Sequence, residues 1–327
     1  MSSTRPKLSI VCPAYQEEEV LPRFHPELTA VLDGLAAEYD IEVLYVDDGS
    51  RDRTLEVLRR LAAVDARVRY LSLSRNFGHQ AALTAGLEHA SGDLVITLDS
   101  DLQHPPALIP VLLEKWKEGH DVVLTLREDD PRLSWRKRLT SRLFYRVMAL
   151  VSNTELRAAA ADFRLLTRKA VDALLRLRET HRFVRGLVSW VGFRTATVPY
   201  MPAGRAAGVS KYTLRMMLAL ALDGLLSFSR VPLRLPLFLG SALCALGFGV
   251  AGWGALQALF AVGPTDWRWF VLMATLLLVG GSILVALGIV GEYVGRIYEQ
   301  VKSRPNYLLK EASPELVAES DRLRRVA

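Results

Sequence analysis

The chain is poor in cysteine, with only Cys12 and Cys244 among its 327 residues. That excludes a disulfide framework and a cysteine-built zinc cluster. The six histidines fall at no metal-ligand spacing. The opening segment, MSSTRPKLSIVCPAY, lacks a long apolar run, so no secretory signal is expected. Internal repeats and low-complexity tracts are missing as well. Charge is not scarce overall: at 23% it matches an ordinary folded protein and excludes disorder as the main state. It is missing locally, however. No Asp, Glu, Lys or Arg occurs over 235–265, nor over 269–291.

Each uncharged run is long enough to cross a bilayer core, which takes about 20 apolar residues. Only Asp266, Trp267 and Arg268 separate them. Two buried helices of a soluble core would need a polar face that these runs lack. The expectation is therefore a two-helix transmembrane hairpin, with spans at about 235–262 and 269–292. Arg230 and Arg234 precede it, and Arg296, Lys302, Arg304 and Lys310 follow it, against one Arg in the turn. Basic flanks stay inside, which places both termini in the cytoplasm and the chain in the cell's inner (plasma) membrane as a multi-pass protein. The segment 210–231 is apolar but carries Lys211, Arg215, Asp223 and Arg230, which suits an amphipathic helix on the inner leaflet or a packing helix beside it. Four regions result: a cytoplasmic domain over 1–209, this interfacial helix over 210–231, the hairpin within 232–298, and a cytoplasmic tail over 299–327. The tail after Pro305 is charged and expected to be helical or partly disordered.

The first region alternates. KLSIVCPAY, IEVLYVDD, VRYLSLS, DLVITLDSD and DVVLTLR read as strands, with helical patterns near 18–38, 52–65, 79–90 and 106–118. Nearly continuous apolar strands suit a parallel sheet covered on both faces. The order implies an α/β, doubly wound, mostly parallel sheet, whose ligands bind at the carboxyl ends of its strands.

Polar residues cluster at those ends. Asp99-Ser100-Asp101-Leu102-Gln103 closes the fourth strand, and carboxylates at i and i+2 share one side of an extended chain. They suit Mg2+ or Mn2+, which prefer oxygen ligands and often share substrate phosphates. The bland reading is a helix cap before Pro105 and Pro106. Asp48, in DDGS, suits a hydrogen bond from a base or ribose, or a cap. Tyr15 suits stacking on a base, and Glu17 a ligand or a cap. His79 follows Gly78 at a helix start and reads as a packing or capping residue rather than a general base. The net charge of +6 favours an anionic partner. Nucleic acid is not expected, because the basic residues form no aromatic-interleaved stripe.

PAYQEEE, VDDGSRDRT, SRNFGHQAALTAGLEHASGD, LDSDLQHPP, DFRLLTRKA, RFVRGLVSWVGF and GRAAGVSKYTLRMM occur in that order. As a set they resemble the polyisoprenyl-phosphate glycosyltransferases of glycosyltransferase family 2, over about residues 7–310. The bacterial undecaprenyl-phosphate branch is the nearer likeness, and the dolichol-phosphate mannose synthases are similar. The resemblance implies a GT-A-type sheet, a nucleotide diphosphate sugar as donor, UDP-glucose first, and a polyprenyl phosphate as acceptor at the lipid bilayer. It implies that Pro13, Tyr15, Glu17 and Asp48 hold the nucleotide. Asp99, Asp101 and Gln103 would take the metal and diphosphate, with Ser100 lining the site. Arg127, Arg205, Ser210 and Lys211 would meet the acceptor phosphate, and Asp162 would lie near the sugar as base or positioning carboxylate. Relatives suggest a homo-oligomer, a tetramer. Gln16 departs from the usual Asn, and 157–162, RAAAAD, from a more polar sequence.

Three rival functions would leave different marks on the sequence. A processive polysaccharide synthase would carry a Gln-x-x-Arg-Trp motif, which is missing. A dinucleotide oxidoreductase would use Gly247-x-Gly249-x-x-Gly252, but those glycines sit inside the first uncharged run with no strand before them. A non-catalytic membrane scaffold would have no use for the complete acidic set.

Overall fold

The computed structural model describes residues 5–127, 160–177, 179, 182–201 and 267–316, with isolated positions at 242, 243, 245, 246 and 249. The expected interfacial helix over 210–231 and the first span at about 235–262 lie outside the described residues, those isolated positions apart. So do Arg205, Ser210 and Lys211.

Eight strands form one sheet: β1 (Lys7–Ala14), β2 (Asp40–Asp47), β3 (Val68–Leu73), β4 (Leu94–Thr97), β5 (Val122–Arg127), β6 (Ala160–Thr167), β7 (Thr195–Tyr200) and β8 (Leu309–Ala312). Their spatial order is β7-β5-β6-β4-β1-β2-β3-β8. Pairs β1–β2, β1–β4, β2–β3 and β5–β7 are parallel, whereas β4–β6, β5–β6 and β3–β8 are antiparallel. The α/β class with a mostly parallel sheet is thus the one expected.

Strand periodicity explains the two cores. On β2, Ile41, Val43 and Tyr45 face one layer while Leu44 and Val46 face the other. The first layer holds α1 (Leu21–Asp33), α2 (Thr54–Val64) and α4 (Ile109–Lys117), through Leu28, Leu58 and Leu112. The second holds α3 (His79–His89), through Ala82 and Ala85. Helices α5 (Arg168–Leu175) and α6 (Val184–Trp190) continue from α3.

One correction concerns the tail. Pro305 is followed first by β8, the edge strand beside β3; residues 314–316 then turn helical as expected, with Leu316 buried among Leu44, Val46 and Leu71, and the tail past 316 lies outside the described residues. Arg59 makes a two-pronged ion pair with Glu311, at 2.9 and 2.5 Å, and Tyr307 donates to Glu88 at 2.5 Å. By contact the chain divides into Met1–Leu220 with Pro305–Ala327, and a second unit, Ala221–Arg304.

The second unit contains α7 (Trp267–Val301), 35 residues long, which includes the span expected at 269–292. Its stretch Leu278–Val301 is long and apolar enough to cross a membrane. Leu276, Leu284 and Leu287 on this helix are each more than 60% exposed, so protein does not cover them.

Candidate active site

The carboxyl ends of β1, β2, β3 and β4 meet at one edge of the sheet. The loop after β1 is fastened to the loop after β2. Gln16 N–H donates to Ser50 Oγ at 2.9 Å, Glu17 N–H to Thr54 Oγ1 at 2.9 Å, and Glu18 N–H to Asp52 at 3.4 Å. Gln16 sits at φ +55°, a left-handed conformation that Asn adopts more readily. The departure from the family's Asn therefore falls at a strained turn.

The loop after β2 is in turn fastened to the loop after β3. Asp48, 4% exposed, accepts Phe77 N–H at 2.8 Å on one oxygen and Gly78 N–H at 3.0 Å on the other. Burial raises its pKa against those hydrogen bonds. Gly49 has φ +64°, and a Cβ there would lie 2.2 Å from the Arg75 carbonyl carbon. Only glycine allows this approach. Asp48 thereby shapes the turn that aims His79. Between these loops lies a cleft of about 260 Å3, bordered by Tyr15, Ser50, Ser72, Arg75 and Lys310.

On the other side of β1 stands the acidic set. Asp99 and Asp101 do not lie on an extended chain, as expected, but in a turn beyond β4. Leu102 takes φ +62°, and Asp101 accepts Gln103 N–H at 3.0 Å. Ser100, 2% exposed, donates to the Pro13 carbonyl at 3.0 Å, so these two residues join the β4 turn to the end of β1. His104, stacked on Phe163, accepts Asp99 N–H on Nδ1 at 3.2 Å. Arg127, exposed at the end of β5, reaches Gln103 Oε1 at 3.5 Å. Gln103 Nε2 is buried and has no partner among the described residues.

Antiparallel pairing brings the start of β6 to the same edge, Thr97 lying opposite Arg164. Asp162 is thus placed beside Asp99, although 63 positions separate them in sequence (162 minus 99). It is 3% exposed and accepts hydrogen bonds from Arg164 and, at 2.6 and 3.2 Å, from Arg185. Burial works to raise its pKa. The guanidiniums of Arg185 and Arg164, with His79, outweigh burial and hold it well below the usual carboxylate range. His79 Nε2 stands 3.5 Å from Asp99 Oδ1 and 3.5 Å from Asp162 Oδ2. Burial disfavours its charged form, but the two carboxylates prevail and raise its pKa to about 9. Tyr200, at the end of β7, completes the edge; burial chiefly, with Asp99 and Asp101 adding, raises its pKa to about 12.

Of the expected residues, Pro13, Tyr15, Glu17, Asp48, Asp99, Ser100, Asp101, Gln103, Arg127 and Asp162 all gather at this edge. Sequence reading missed Arg164, Arg185, His104 and Tyr200, and set His79 aside. Arg164 is fully buried, with Nε and Nη1 lacking partners among the described residues. Buried cationic donors with unmet hydrogen bonds favour an anion at this edge.

Residues 9–175 match the family described as "Glycosyl transferase family 2". The chain is 41% identical over 304 residues to the uncharacterized glycosyltransferase YkcC of Bacillus subtilis, covering 93% of each chain. It is 39% identical over 306 residues to the SfII prophage-derived bactoprenol glucosyl transferase of Shigella flexneri, covering 94% of this chain and 98% of that one. Among solved structures, glucosyl-3-phosphoglycerate synthase from Mycobacterium tuberculosis, with Mn2+, UDP and phosphoglyceric acid, is 22% identical with a TM-score of 0.45, covering 68% of this chain and 78% of that one.

Proposed function

The chain belongs to glycosyl transferase family 2 and is a glycosyltransferase, and from that premise we propose that it moves a sugar from a nucleotide diphosphate sugar to a polyprenyl phosphate. UDP-glucose is the first candidate donor and undecaprenyl phosphate the acceptor, giving a lipid-linked sugar for the cell envelope. The observation that carries this reading is that one sheet edge holds both the acidic turn of Asp99 and Asp101 and a cationic cluster, in which Arg164 and Arg185 pair with Asp162 and His79 stands between Asp99 and Asp162. The name carried by the Shigella relative supports the acceptor.

The donor set fits a divalent cation. Asp99 and Asp101 offer carboxylates, and Gln103 offers an amide oxygen within the same turn, 3.5 Å from Arg127. Among the described residues no third His, Cys, Asp or Glu is placed with Asp99 and Asp101 to hold a metal ion, so substrate oxygens would complete the coordination. Mg2+ or Mn2+ held by Asp99, Asp101 and Gln103 would neutralise charge on the leaving diphosphate.

The remaining chemistry belongs to the chain. Tyr15 and Glu17 border the nucleotide, and Asp48 keeps the Phe77–Gly78 turn in shape around it. An acceptor phosphate oxygen attacks the anomeric carbon. The bond from that carbon to the diphosphate oxygen breaks, and the nucleoside diphosphate leaves with the electron pair, inverting the centre. The acceptor is already anionic, so no proton must be removed. Asp162, held ionised by two guanidiniums, is accordingly a positioning residue: it fixes Arg185 and His79 toward the sugar. Arg127, Arg205, Ser210 and Lys211 meet the acceptor phosphate.

The same reading places the enzyme in the inner membrane as a homo-oligomer, a tetramer in the first instance. Its catalytic domain and both termini are cytoplasmic, with a GT-A domain over 1–209, an interfacial helix over 210–231 and two spans.

The test is a transfer assay with purified full-length protein, undecaprenyl phosphate, Mn2+ and a panel of radiolabelled UDP- and GDP-sugars. Label from one donor enters the organic phase, and Asp101→Ala lowers the rate at least about 100-fold without changing the melting temperature. Donor hydrolysis with no lipid product would overturn the acceptor assignment.

A further inference from the structure

The tail strand carries an irregularity that falls beside the donor cleft. Along β3 and β8 the ladder pairs Leu73 with Leu309 and Ser72 with Glu311, so one step on β3 spans two on β8. Lys310 is the extra residue, a β-bulge. A bulge turns its residue out of the alternating pattern and commonly re-aims a side chain near a site. Here the re-aimed side chain is Lys310, which borders the cleft with Tyr15, Ser72 and Arg75. The bulge is well held on both sides. Leu308 carbonyl accepts Ser74 N–H at 2.8 Å, Ser313 N–H donates to Tyr70 at 2.9 Å, and Glu311 is locked by Arg59.

Position across the sheet decides which part of a donor this lysine meets. Neighbouring strands stand about 4.8 Å apart. The order β4-β1-β2-β3-β8 puts four such steps between the acidic turn and the tail strand. That is roughly 19 Å, which puts the tail strand on the side of the cleft away from the acidic turn. With the diphosphate at Asp99 and Asp101, the far end of the molecule is the base. The base end of the cleft has an aromatic ring, Tyr15, the hydroxyls of Ser50 and Ser72, the guanidiniums of Arg51 and Arg75, and one ammonium, Lys310, on a tethered strand. An ammonium only donates hydrogen bonds, so it selects a base that presents a carbonyl oxygen.

We propose that Lys310 is the base-recognition residue of the donor site, donating to a ring carbonyl of the donor's uracil, so that the tail beyond the apolar helix completes the nucleotide cleft. The proposal rests on the nucleotide-sugar reading above and goes beyond it by naming the residue that reads the base. It also gives the tail strand a function that its charged, exposed sequence, LKEA, did not suggest.

Isothermal titration of the full-length protein in detergent, with Mn2+ present, tests it against three ligands: UDP, UMP and pyrophosphate. Lys310→Met is expected to weaken UDP and UMP by the same factor, about tenfold, and to leave pyrophosphate unchanged. Its melting temperature should equal the parent's, because Lys310 is exposed and stands outside the ladder register. Unchanged UDP affinity in Lys310→Met would overturn the proposal. So would an equal loss for pyrophosphate, which would assign the lysine to the phosphates. A parent protein that binds pyrophosphate but neither UDP nor UMP would overturn the uridine donor itself, and is distinguished because the variant is not needed to see it.

Discussion

Glu42 shows how one buried charge organises the end of the sheet opposite the active site. It is 4% exposed, accepts from Ser91 N–H at 2.7 Å and Ser91 Oγ at 2.8 Å, and takes a short hydrogen bond from Ser9. Lys7 lies 3.2 Å and Arg69 3.4 Å away. Burial acts to raise its pKa, but these partners outweigh burial and hold it below the ordinary carboxylate value. A depressed carboxylate stabilises the fold above its unfolded pKa and loses that contribution as pH falls through the lower folded value. Glu42→Gln should therefore cost about 2 kcal/mol at pH 7, and the gap to the parent should narrow once pH drops below about 4.5. Urea denaturation at pH 7 and pH 3.5 checks this; a pH-independent gap would contradict it. Residues of this kind divide by how far their partners lie in sequence. Asp48, Asp99 and Asp101 were legible because they closely follow the ends of β2 and β4. Arg164 was not: a charged residue inside a strand reads as solvent-facing, and only the pairing of β6 with β4 buries it. His79 was set aside for the same reason, since the carboxylates that give it meaning come from β4 and β6.

At the scale of elements, the sequence resolved β1 to β5 and α1 to α4, where apolar runs alternate with amphipathic ones. It did not resolve β6, β7 or β8. Asp162 and Arg164 interrupt β6, and LKEA in β8 is an edge strand whose charge guards against stray pairing. The close seating of α3 was also hidden, and it rests on a single glycine. A Cβ at Gly86 would lie 2.2 Å from Val11 Cγ1 and 3.2 Å from Val46 Cγ2. Gly86→Ala would lift the helix that begins with His79, so a loss of about 1–3 kcal/mol is expected from overpacking. Because the obstruction is one methyl on β1, Val11→Ala should restore part of that loss in the double variant. A thermal-unfolding cycle reads the coupling. Strict additivity of the two changes would mean that α3 is held off the sheet by something other than Val11.

The whole molecule obeys a counting rule. Strand β8 lies in the same sheet as β1 to β7, so the described strands up to Tyr200 and after Pro305 lie on one side of any bilayer. In the proposed membrane reading, helix α7, about 52 Å long at 1.5 Å per residue, would supply one crossing of a core about 30 Å thick. One crossing cannot return the chain to its starting side. Within the proposed membrane reading, a second crossing must come from 221–266, where the uncharged run 235–265 is the stretch of sufficient length. The strand pairing thus requires an even number of crossings in that reading. In intact cells, with Cys244 replaced by Ala, a membrane-impermeant maleimide should label Asp266→Cys without permeabilisation and Lys302→Cys only after it. Cys12 is buried and adds no background. Labelling of both positions from the outside would contradict the inside placement of the tail and, through β8, of the catalytic sheet itself. Labelling of neither in intact cells would leave the turn inside and remove the span from 235–265. The observed side of residue 266 therefore decides whether the enzyme faces its nucleotide donor on the cytoplasmic leaflet.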